Sequence, residues 1–390
     1  MEYRGGFTVQ YRKLGNTDMS VSVIGFGGEH LDRKPYEDVK KTLDAALEHG
    51  INILDLFMPG DEVREHFGKA LGEDRKKFII QGHICSTDIK QQYDISRDLP
   101  TVQKYFESLL NHLRTDYIDI GMLFFIDSDE DFDKTFNSEI LTYARRLKKQ
   151  GVIRAIGASS HNPITAAKVV ETGEIEVLMF SINPAFDMTP AQDYVFDTFN
   201  DKFADNVYSG IRPDRLEFYR LCEQKGVAIT TMKTLGAGKL LSKEHTPFCE
   251  PLTVAQCIHY VLTRPAVASA LLGFRTRAEI KEALKYLKAS DKDLDYSNII
   301  GNMQNDFSGH CVYCGHCQPC PVDIDIAAVT KYLDIALLDE KSIPPSIVSH
   351  YKSLESSGAD CIKCGSCELR CPFGVDITGN MEKSKELFSL

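Results

Sequence analysis

Residues 51–57 read Ile51-Asn-Ile-Leu-Asp-Leu-Phe57, and helical apolar spacing follows over Glu62–Leu71. The apolar run predicts a buried β-strand, and the stretch after it predicts an amphipathic helix. The same strand-and-helix unit recurs along the chain. The predicted strands are Val21–Gly27, Ile51–Phe57, Phe78–Ile84, Tyr117–Phe125, Ala155–Ser160, Val177–Asn183, Ala228–Leu235 and Val267–Gly273. The predicted helices are Tyr36–His49, Glu62–Leu71, Thr101–Leu113, Phe132–Gln150, Asn162–Thr172, Pro213–Gln224, Val254–Thr263 and Arg277–Lys288.

Eight such units predict an α/β fold, the (β/α)8 TIM barrel, because they match that barrel in number and size. A doubly wound sheet would use fewer strands and a Gly-x-Gly-x-x-Gly motif, which residues 25–30 lack. We expect the barrel over residues 10–290 and a small, mainly helical domain over residues 291–390. Barrel chemistry occurs at the carboxyl ends of the strands. Those ends should bring together Asp55, His83, Phe124, Ser159, Asn183, Lys233 and Gly273.

The smaller domain contains eight of the twelve cysteines. The first run is Cys311-Val-Tyr-Cys314-Gly-His-Cys317-Gln-Pro-Cys320-Pro321, and the second is Cys361-Ile-Lys-Cys364-Gly-Ser-Cys367-Glu-Leu-Arg-Cys371-Pro372. Such runs are typical of [4Fe–4S] clusters, in which three thiolates hold one cluster and the fourth commonly holds the other. The predicted ligand sets are Cys311, Cys314, Cys317 with Cys371, and Cys361, Cys364, Cys367 with Cys320. The first run is one residue shorter before its proline, which leaves this pairing open.

Two zinc sites of four cysteines each are the alternative, but zinc knuckles pair two Cys-x2-Cys motifs over a longer gap. Helical spacing over residues 326–338 and 345–354, between the runs, indicates the helical type of two-cluster ferredoxin domain. Two clusters in one domain would pass electrons singly.

Composition bounds the remaining possibilities. The chain has 390 residues, 43% of them hydrophobic and 26% charged, which is typical of a globular protein with a sizeable core. The net charge of −11 argues against nucleic acid or an anionic membrane as the main partner. Neither a signal peptide nor a membrane-spanning apolar run is present, so we expect a cytoplasmic protein.

Several segments, in order, resemble the aldo/keto reductase family. They are residues 11–27, His49-Gly-Ile-Asn-Ile-Leu-Asp55, Phe67-Gly-Lys-Ala-Leu71, Arg114-Thr-Asp-Tyr-Ile-Asp-Ile120, Ile156-Gly-Ala-Ser-Ser-His161 and Leu235-Gly-Ala-Gly-Lys-Leu240. The whole chain is similar to a bacterial and archaeal branch of that family that carries a C-terminal domain with two [4Fe–4S] clusters.

The resemblance implies hydride transfer from NADPH to a carbonyl by an Asp, Tyr, Lys and His tetrad. Asp55 matches the family aspartate. Counted without gaps, the tyrosine position falls on Gly60, the lysine position on Gly82 and the histidine position on Phe124. Glycine cannot donate a proton as a phenol does, so we do not expect carbonyl reduction by this tetrad.

His83 could replace part of the tetrad, because it is one residue from the missing lysine and Asp55 should lie on the adjacent strand. Since neighbouring residues of a strand face opposite ways, His83 could instead point away from the lumen. Lys233, near the end of the seventh strand, is a further candidate for a base or an anion ligand.

The family nicotinamide site is half retained. NADP(H) or NAD(H) is therefore a possible cofactor, although Met179, Met232 and the pair Glu282-Ala283 depart from the family pattern. The positions that match family nucleotide contacts, or could pair with a 2′-phosphate, are Ser159, Ser160, Asn183, Leu235, Gly236, Gly238, Gly273, Arg275 and Arg277.

Two functions are compatible with these features. The first is an iron–sulfur oxidoreductase, in which the clusters connect a small-molecule substrate or nucleotide at the rim with a one-electron carrier such as ferredoxin or flavodoxin. The second is an electron-transfer or activating protein for a partner oxidoreductase, with a catalytically degenerate barrel. The missing tetrad favours the second function, and the retained Asp55 and serine pair favour the first.

Overall fold

The computed structural model describes residues 9–89, 93–189, 211–297, 299 and 309–388. Its centre is a closed barrel of eight parallel strands in sequence order, with the last strand paired to the first. The strands are β1 Ile24–Gly27, β2 Ile53–Leu56, β3 Ile79–Ile84, β4 Ile118–Leu123, β5 Ile153–Ser160, β6 Val177–Ser181, β7 Ala228–Met232 and β8 Val267–Gly273. The predicted fold class is therefore confirmed.

Helices alternate with the strands and cover the barrel. In the barrel they are α1 Tyr36–Glu48, α2 Asp61–Leu71, α3 Leu99–Leu113, α4 Asp129–Phe136, α5 Glu139–Lys149, α6 Pro163–Glu171, α7 Pro184–Asp187, α8 Pro213–Lys225, α9 Val254–Leu262 and α10 Arg277–Leu284. Beyond it are α11 Asp291–Leu294, α12 Ile326–Leu337, α13 Pro345–Lys352, α14 Ser366–Arg370 and α15 Ile377–Phe388. Short 3-10 turns occupy Gly28–Leu31, Gly72–Lys77, Gly236–Leu241, Lys285–Lys288 and Gly358–Asp360.

The single helix predicted over residues 132–150 is wrong, because two helices occupy this region. Ser138 has extended backbone between them, and its side chain accepts the Ile140 N–H as the N-cap of α5. A serine whose hydroxyl caps a new helix end competes with continuation of the previous helix.

The strands are buried on both faces, as expected for a parallel sheet covered by helices. One apolar cluster lies between strands and helices, and a second fills the lumen. The lumen cluster includes Ile53, Ile120, Met122, Ala155, Val177, Met179, Ala228, Ala268 and Leu271.

A β-hairpin closes the amino-terminal end of the barrel. Its strands Tyr11–Lys13 and Ser20–Ser22 pair antiparallel, and Leu14 and Met19 between them join the lumen cluster. Arg12 fixes the hairpin by donating to the carbonyl of Val267, the first residue of β8, at 2.7 Å. A second small hairpin, Ser86–Thr87 with Asp94–Ile95, follows β3 at the opposite end.

The cysteine-rich domain packs against α8 and α9 on the outside of the barrel. Arg220 of α8 donates to the Ser342 carbonyl at 3.0 Å, and Glu223 pairs with His350 of α13 at 2.9 Å. From the α9 side, Tyr296 donates through its hydroxyl to the Val312 carbonyl at 2.9 Å. Across the described residues, no helix combines the length and apolarity needed to cross a bilayer.

Helix α2 packs closely on the end of α3 at Gly68. A Cβ built at this position would lie 1.9 Å from the His112 carbonyl oxygen, whereas one at Gly60 would be no closer than 3.7 Å to Val63. We therefore expect Gly68→Ala to lower the free energy of unfolding by about 1–3 kcal/mol through overpacking. The matched change Gly60→Ala should cost less than about 0.5 kcal/mol. Urea unfolding followed by circular dichroism measures both, and equal stability of the two variants would contradict the packing described.

Candidate functional site

Asp55 and His83 form a buried pair at the carboxyl ends of β2 and β3. His83 Nε2 lies 2.8 Å from Asp55 Oδ1, and Gln81 Nε2 donates to the same oxygen at 3.0 Å. All three side chains are at most 2% exposed. His83 Nδ1 is buried without a hydrogen-bond partner among the described residues. The aspartate therefore orients the imidazole, and the second ring nitrogen remains available.

The strand register explains why His83, not residue 82, faces Asp55. Asp55 pairs with Gln81 in the ladder, and alternation puts Gln81 and His83 on the same face. A Cβ built on Gly82 would instead meet Leu109 of α3 at 2.8 Å, so this position faces the helices. Counting without gaps thus placed the family lysine at residue 82, which faces the helices. The neighbouring residue that faces the lumen is His83.

Aromatic rings pack against the imidazole of His83. The Phe57 and Phe124 rings stack with centroids 5.7 Å apart, and His83 meets them edge-on at 6.0 and 5.2 Å. Tyr93, in the hairpin after β3, packs on Phe57 at 5.0 Å. Its hydroxyl donates to Asp32 at 2.9 Å, and burial raises the pKa of this phenol above its ordinary value.

The sequence did not single out Gln81 or Tyr93. Gln81 is two residues before His83, so strand alternation alone could have identified it. Tyr93 reaches the rim only because Ser86–Thr87 pairs with Asp94–Ile95, and no periodic pattern marked that pairing.

The two adjacent serines of β5 have different environments. Ser159 accepts the Phe125 N–H at 2.8 Å and lies beside lumen-facing Met179 in the ladder. Ser160 donates to Asp127 at 3.1 Å. The same carboxylate also pairs with His161 Nδ1 at 2.8 Å. Of the predicted pair, only Ser159 therefore has its side chain on the lumen side.

The loops after β6 and β7 are joined to each other. Asn183 Nδ2 donates to the Lys233 carbonyl at 2.9 Å, and Lys233 itself has a left-handed backbone with φ of 61°. Gly236 and Gly238 also have positive φ, but their N–H groups already donate to the carbonyls of Lys233 and Leu235, at 2.8 and 2.9 Å. A pyrophosphate would have to compete for these amides.

The rim positions after β8 are partly occupied by protein contacts. A Cβ on Gly273 would lie 2.2 Å from His30 Cδ2, so the glycine makes room for the His30 ring. Arg275 and Arg277 are both exposed, but Arg277 already forms a salt bridge with Glu48. Arg275 is therefore the arginine better placed to meet a phosphate.

The two cysteine runs have matching backbone conformations. The Tyr313 N–H donates to Cys311 Sγ and the Lys363 N–H donates to Cys361 Sγ, each at 3.4 Å. Left-handed residues occupy the same two places in each run: Tyr313 at φ 58° and Gly315 at 80°, Lys363 at 55° and Gly365 at 70°. Both loops therefore curl around their own sulfurs in the same way.

One predicted ligand set lines a single cavity. This cavity has a mostly apolar wall that includes Val322, Ile362 and Met381. Its cysteines are Cys320, Cys361, Cys364 and Cys367. The structure thus brings the last cysteine of the first run to the three of the second run.

The cysteines of the other predicted set are near enough to influence one another electrostatically. Burial raises the pKa of the Cys314 and Cys317 thiols to about 12, and charge on Cys371 contributes to both shifts. Cys311 lies close enough for Cys314 and Cys317 to act on its own raised pKa in the same way. A metal bound by these sulfurs as thiolates would have to offset the cost of burying their negative charge.

The spacing of these side chains differs from that of a single-ion site. In the part of the chain that the structure describes, no three His, Cys, Asp or Glu side chains are grouped closely enough to ligate one ion. Four sulfurs around zinc lie about 3.8 Å apart, since each Zn–S bond is about 2.3 Å. A cluster interposes several irons and sulfides and spaces its thiolates more widely.

Arg370 holds the two runs together. It follows Cys367 in α14 and donates to the carbonyls of Cys317 and Pro319, both at 2.7 Å. A guanidinium that forks between two carbonyls of the other run fixes the relative position of both loops.

The aldo/keto reductase family model matches residues 23–251, so the chain belongs to the aldo/keto reductase family. It is accordingly an oxidoreductase, whose substrate is unknown. The matched range covers the barrel up to the loop after β7 and ends before the cysteine-rich domain.

Individual relatives agree with this assignment. The chain is 24% identical over 289 residues to the uncharacterized oxidoreductase YqkF of Bacillus subtilis, a match that covers 71% of this chain and 91% of that protein. It is 30% identical over 158 residues to L-galactose dehydrogenase of Arabidopsis thaliana, which covers 38% of this chain and 48% of that enzyme. The solved aldo-keto reductase AKR11C1 of Bacillus halodurans, in its holo form, superposes with a TM-score of 0.57 at 23% identity, over 73% of this chain and 92% of that one.

A double-mutant cycle tests the Asp55–His83 contact. We expect Asp55→Asn and His83→Gln to be coupled by about 0.5–3 kcal/mol in unfolding free energy, because they share a buried hydrogen bond. The control cycle combines Asp55→Asn with His161→Gln, which has its own partner in Asp127. That cycle should be additive within about 0.5 kcal/mol. Additivity in the first cycle would show that the two side chains do not interact.

Proposed function

We propose that the protein is an iron–sulfur oxidoreductase with two [4Fe–4S] clusters in the C-terminal domain. The clusters pass single electrons between an external carrier and a small-molecule substrate or nucleotide at the barrel rim. The observation that carries the proposal is the cavity lined by Cys320 and the three cysteines of the second run. A cubic cluster takes one thiolate for each iron, and such a set of four is what it requires.

The matching loops also support two clusters over two zinc ions. Each run turns an N–H towards its own first sulfur, at Cys311 and at Cys361. Hydrogen bonds to sulfur are one means by which proteins adjust cluster potentials. When bound, the clusters would supply one-electron transfer without bond changes.

The two sites differ in exposure, which suggests an order for electron flow. Cys364 of the second-run site is exposed. Ile362 and Leu369 beside it are 60% and 90% exposed, which is unusual for large apolar side chains. The other site adjoins Tyr296 and the barrel through Val312. An electron carrier such as ferredoxin or flavodoxin would therefore dock at the second-run site, and the first-run site would connect to the barrel.

At the rim, His83 is the group that can hold or move a proton. An ionised Asp55 only accepts hydrogen bonds, so His83 Nε2 carries the hydrogen between them and Nδ1 is left as the acceptor. Nδ1 is buried without a partner among the described residues, and the Phe57 and Phe124 rings pack against the same imidazole. A substrate proton delivered to or taken from Nδ1 would not require the missing tetrad tyrosine.

A specific observation favours the alternative, an electron-transfer protein with a degenerate barrel. The cysteine domain packs on α8 and α9, which flank β7, whereas Asp55 and His83 belong to β2 and β3 on the other side of the ring. A nucleotide or substrate that extends across the rim would be needed to connect them. Lys233 and Asn183, after β7 and β6, lie on the cluster side and would hold the near end of that molecule.

Iron analysis after anaerobic reconstitution tests the clusters. We expect about eight irons per chain, falling to about four in Cys361→Ala/Cys364→Ala and likewise in Cys314→Ala/Cys317→Ala. Cys371→Ala should perturb the spectrum of the first-run cluster, because its sulfur belongs to that set. Cys249→Ser, outside both runs, is the control and should keep all the iron. Two zinc ions and no iron in the wild-type protein would refute the proposal.

Nucleotide titration separates the enzyme from the electron-transfer protein. If the protein is an enzyme that uses the nucleotide, NADPH binds with a micromolar Kd, which nucleotide fluorescence measures. Arg275→Ala should then weaken NADPH binding about tenfold through loss of a 2′-phosphate contact, and should leave NADH binding unchanged. Arg277→Ala is the matched control, because Glu48 already pairs with that guanidinium. Absence of binding of either nucleotide at millimolar concentration would favour the alternative.

A further inference from the structure

Arg264 is a buried cation at the junction of the barrel and the cysteine domain. It follows α9 in the turn that leads to β8, and only 2% of it is exposed. Its Nη2 donates to Thr263 Oγ1 at 3.1 Å and, at 3.5 Å, to the carbonyl of Val312. Its guanidinium lies over the rings of Tyr260 and Tyr313, at 4.2 and 4.7 Å.

Arg264 has no carboxylate in salt-bridge contact among the described residues, although the buried Asp187 acts on its charge from a greater distance. Within the described residues no carboxylate oxygen lies within 4.0 Å of its nitrogens, and both Nε and Nη1 are buried without a partner. The nearest acids have other partners: Asp187 bonds Arg215, Tyr219 and Tyr260, and Asp334 accepts from Tyr313. A buried charge with no carboxylate in contact costs several kcal/mol, and two aromatic faces and more distant acids that already have other partners offset only part of that cost.

The neighbouring cysteine run would provide the missing anion. Val312, which accepts from Arg264 and from Tyr296, stands between the first two cysteines of the first-run site. On the proposed function, four thiolates there hold a cluster, and such a cluster carries net negative charge that grows on reduction. A fixed cation beside it stabilises the reduced form more than the oxidised form.

We propose that Arg264 is the countercharge of the first-run cluster and raises its reduction potential above that of the second-run cluster. When bound, the clusters would supply one-electron transfer in which no bond forms or breaks: the external carrier would lose one electron and the first-run site would gain it by way of the exposed second-run site. Arg264 therefore acts through its charge and does not contact a substrate. It makes electron transfer from the second-run cluster to the first-run cluster thermodynamically favourable.

An anaerobic redox titration followed by electron paramagnetic resonance tests this inference in the full-length, reconstituted protein. The two clusters are assigned with the ligand variants described above. In Arg264→Gln, the potential of the first-run cluster should fall while that of the second-run cluster stays unchanged. Arg264→Lys, which keeps the charge, should recover most of the shift. Arg220→Gln, at an interface contact remote from the cysteine runs, is the control and should leave both potentials unchanged.

A second pair of variants keeps the inference testable even if Arg264→Gln fails to load iron. Thr263 is half-buried and its hydroxyl already accepts from Arg264. Thr263→Asp would neutralise the guanidinium without removing it, so the potential of the first-run cluster should fall. Thr263→Asn introduces a side chain of the same shape as aspartate but without charge, so it should leave that potential unchanged. If the first-run potential is equal in the wild type, Thr263→Asp and Thr263→Asn, and all three proteins hold full iron, the role of Arg264 is overturned while the proposed function stands. A wild-type protein that takes up no iron would overturn this inference and the proposed function together.

Discussion

The parallel hydrogen-bond register that closes eight strands into a ring is the constraint on which the rest of the molecule depends. It aligns every strand end at one rim, and it sets Asp55 opposite Gln81 in the ladder between β2 and β3. Because side chains alternate, that pairing turns His83 towards Asp55 although 28 positions separate them in the chain. A slip of one residue between these strands would send the histidine to the helices and destroy the pair.

The second domain depends on the barrel in a different way. Its contacts with α8 and α9 combine one continuous apolar cluster with specific polar pairs, such as Glu223 with His350 and Tyr296 with the Val312 carbonyl. Tyr260, Tyr296 and Tyr313 surround Arg264, so aromatic rings fill the space between the barrel and the first cysteine run. Interfaces of this kind fix orientation, since a misplaced partner would leave buried polar groups without hydrogen bonds.

The fold was largely predictable, because eight apolar runs separated by amphipathic stretches admit few arrangements. The two clusters stay a prediction, which rests on a chemical reason: three cysteines spaced along one short loop can each reach a different iron. The direction in which the His83 side chain points was not predictable. It was inferred by counting residues to the family lysine position, and a shift of one residue in that count reverses the direction. Residues 132–150 look continuous in apolar period, and a single serine cap at Ser138 divides them. In the sequence, Arg264 precedes a proline and has the pattern of a residue in a solvent-exposed turn. Its burial results from the packing of the second domain, which the sequence pattern does not indicate.

The hairpin that closes the amino-terminal end of the barrel limits how a substrate can reach the site. Leu14 and Met19 occupy the lumen at that end, and Arg12 fastens the hairpin to β8. Among the described residues, this hairpin blocks approach to His83 along the lumen from that end. A substrate of this oxidoreductase would therefore have to arrive and leave at the rim, so that release of one molecule must precede entry of the next.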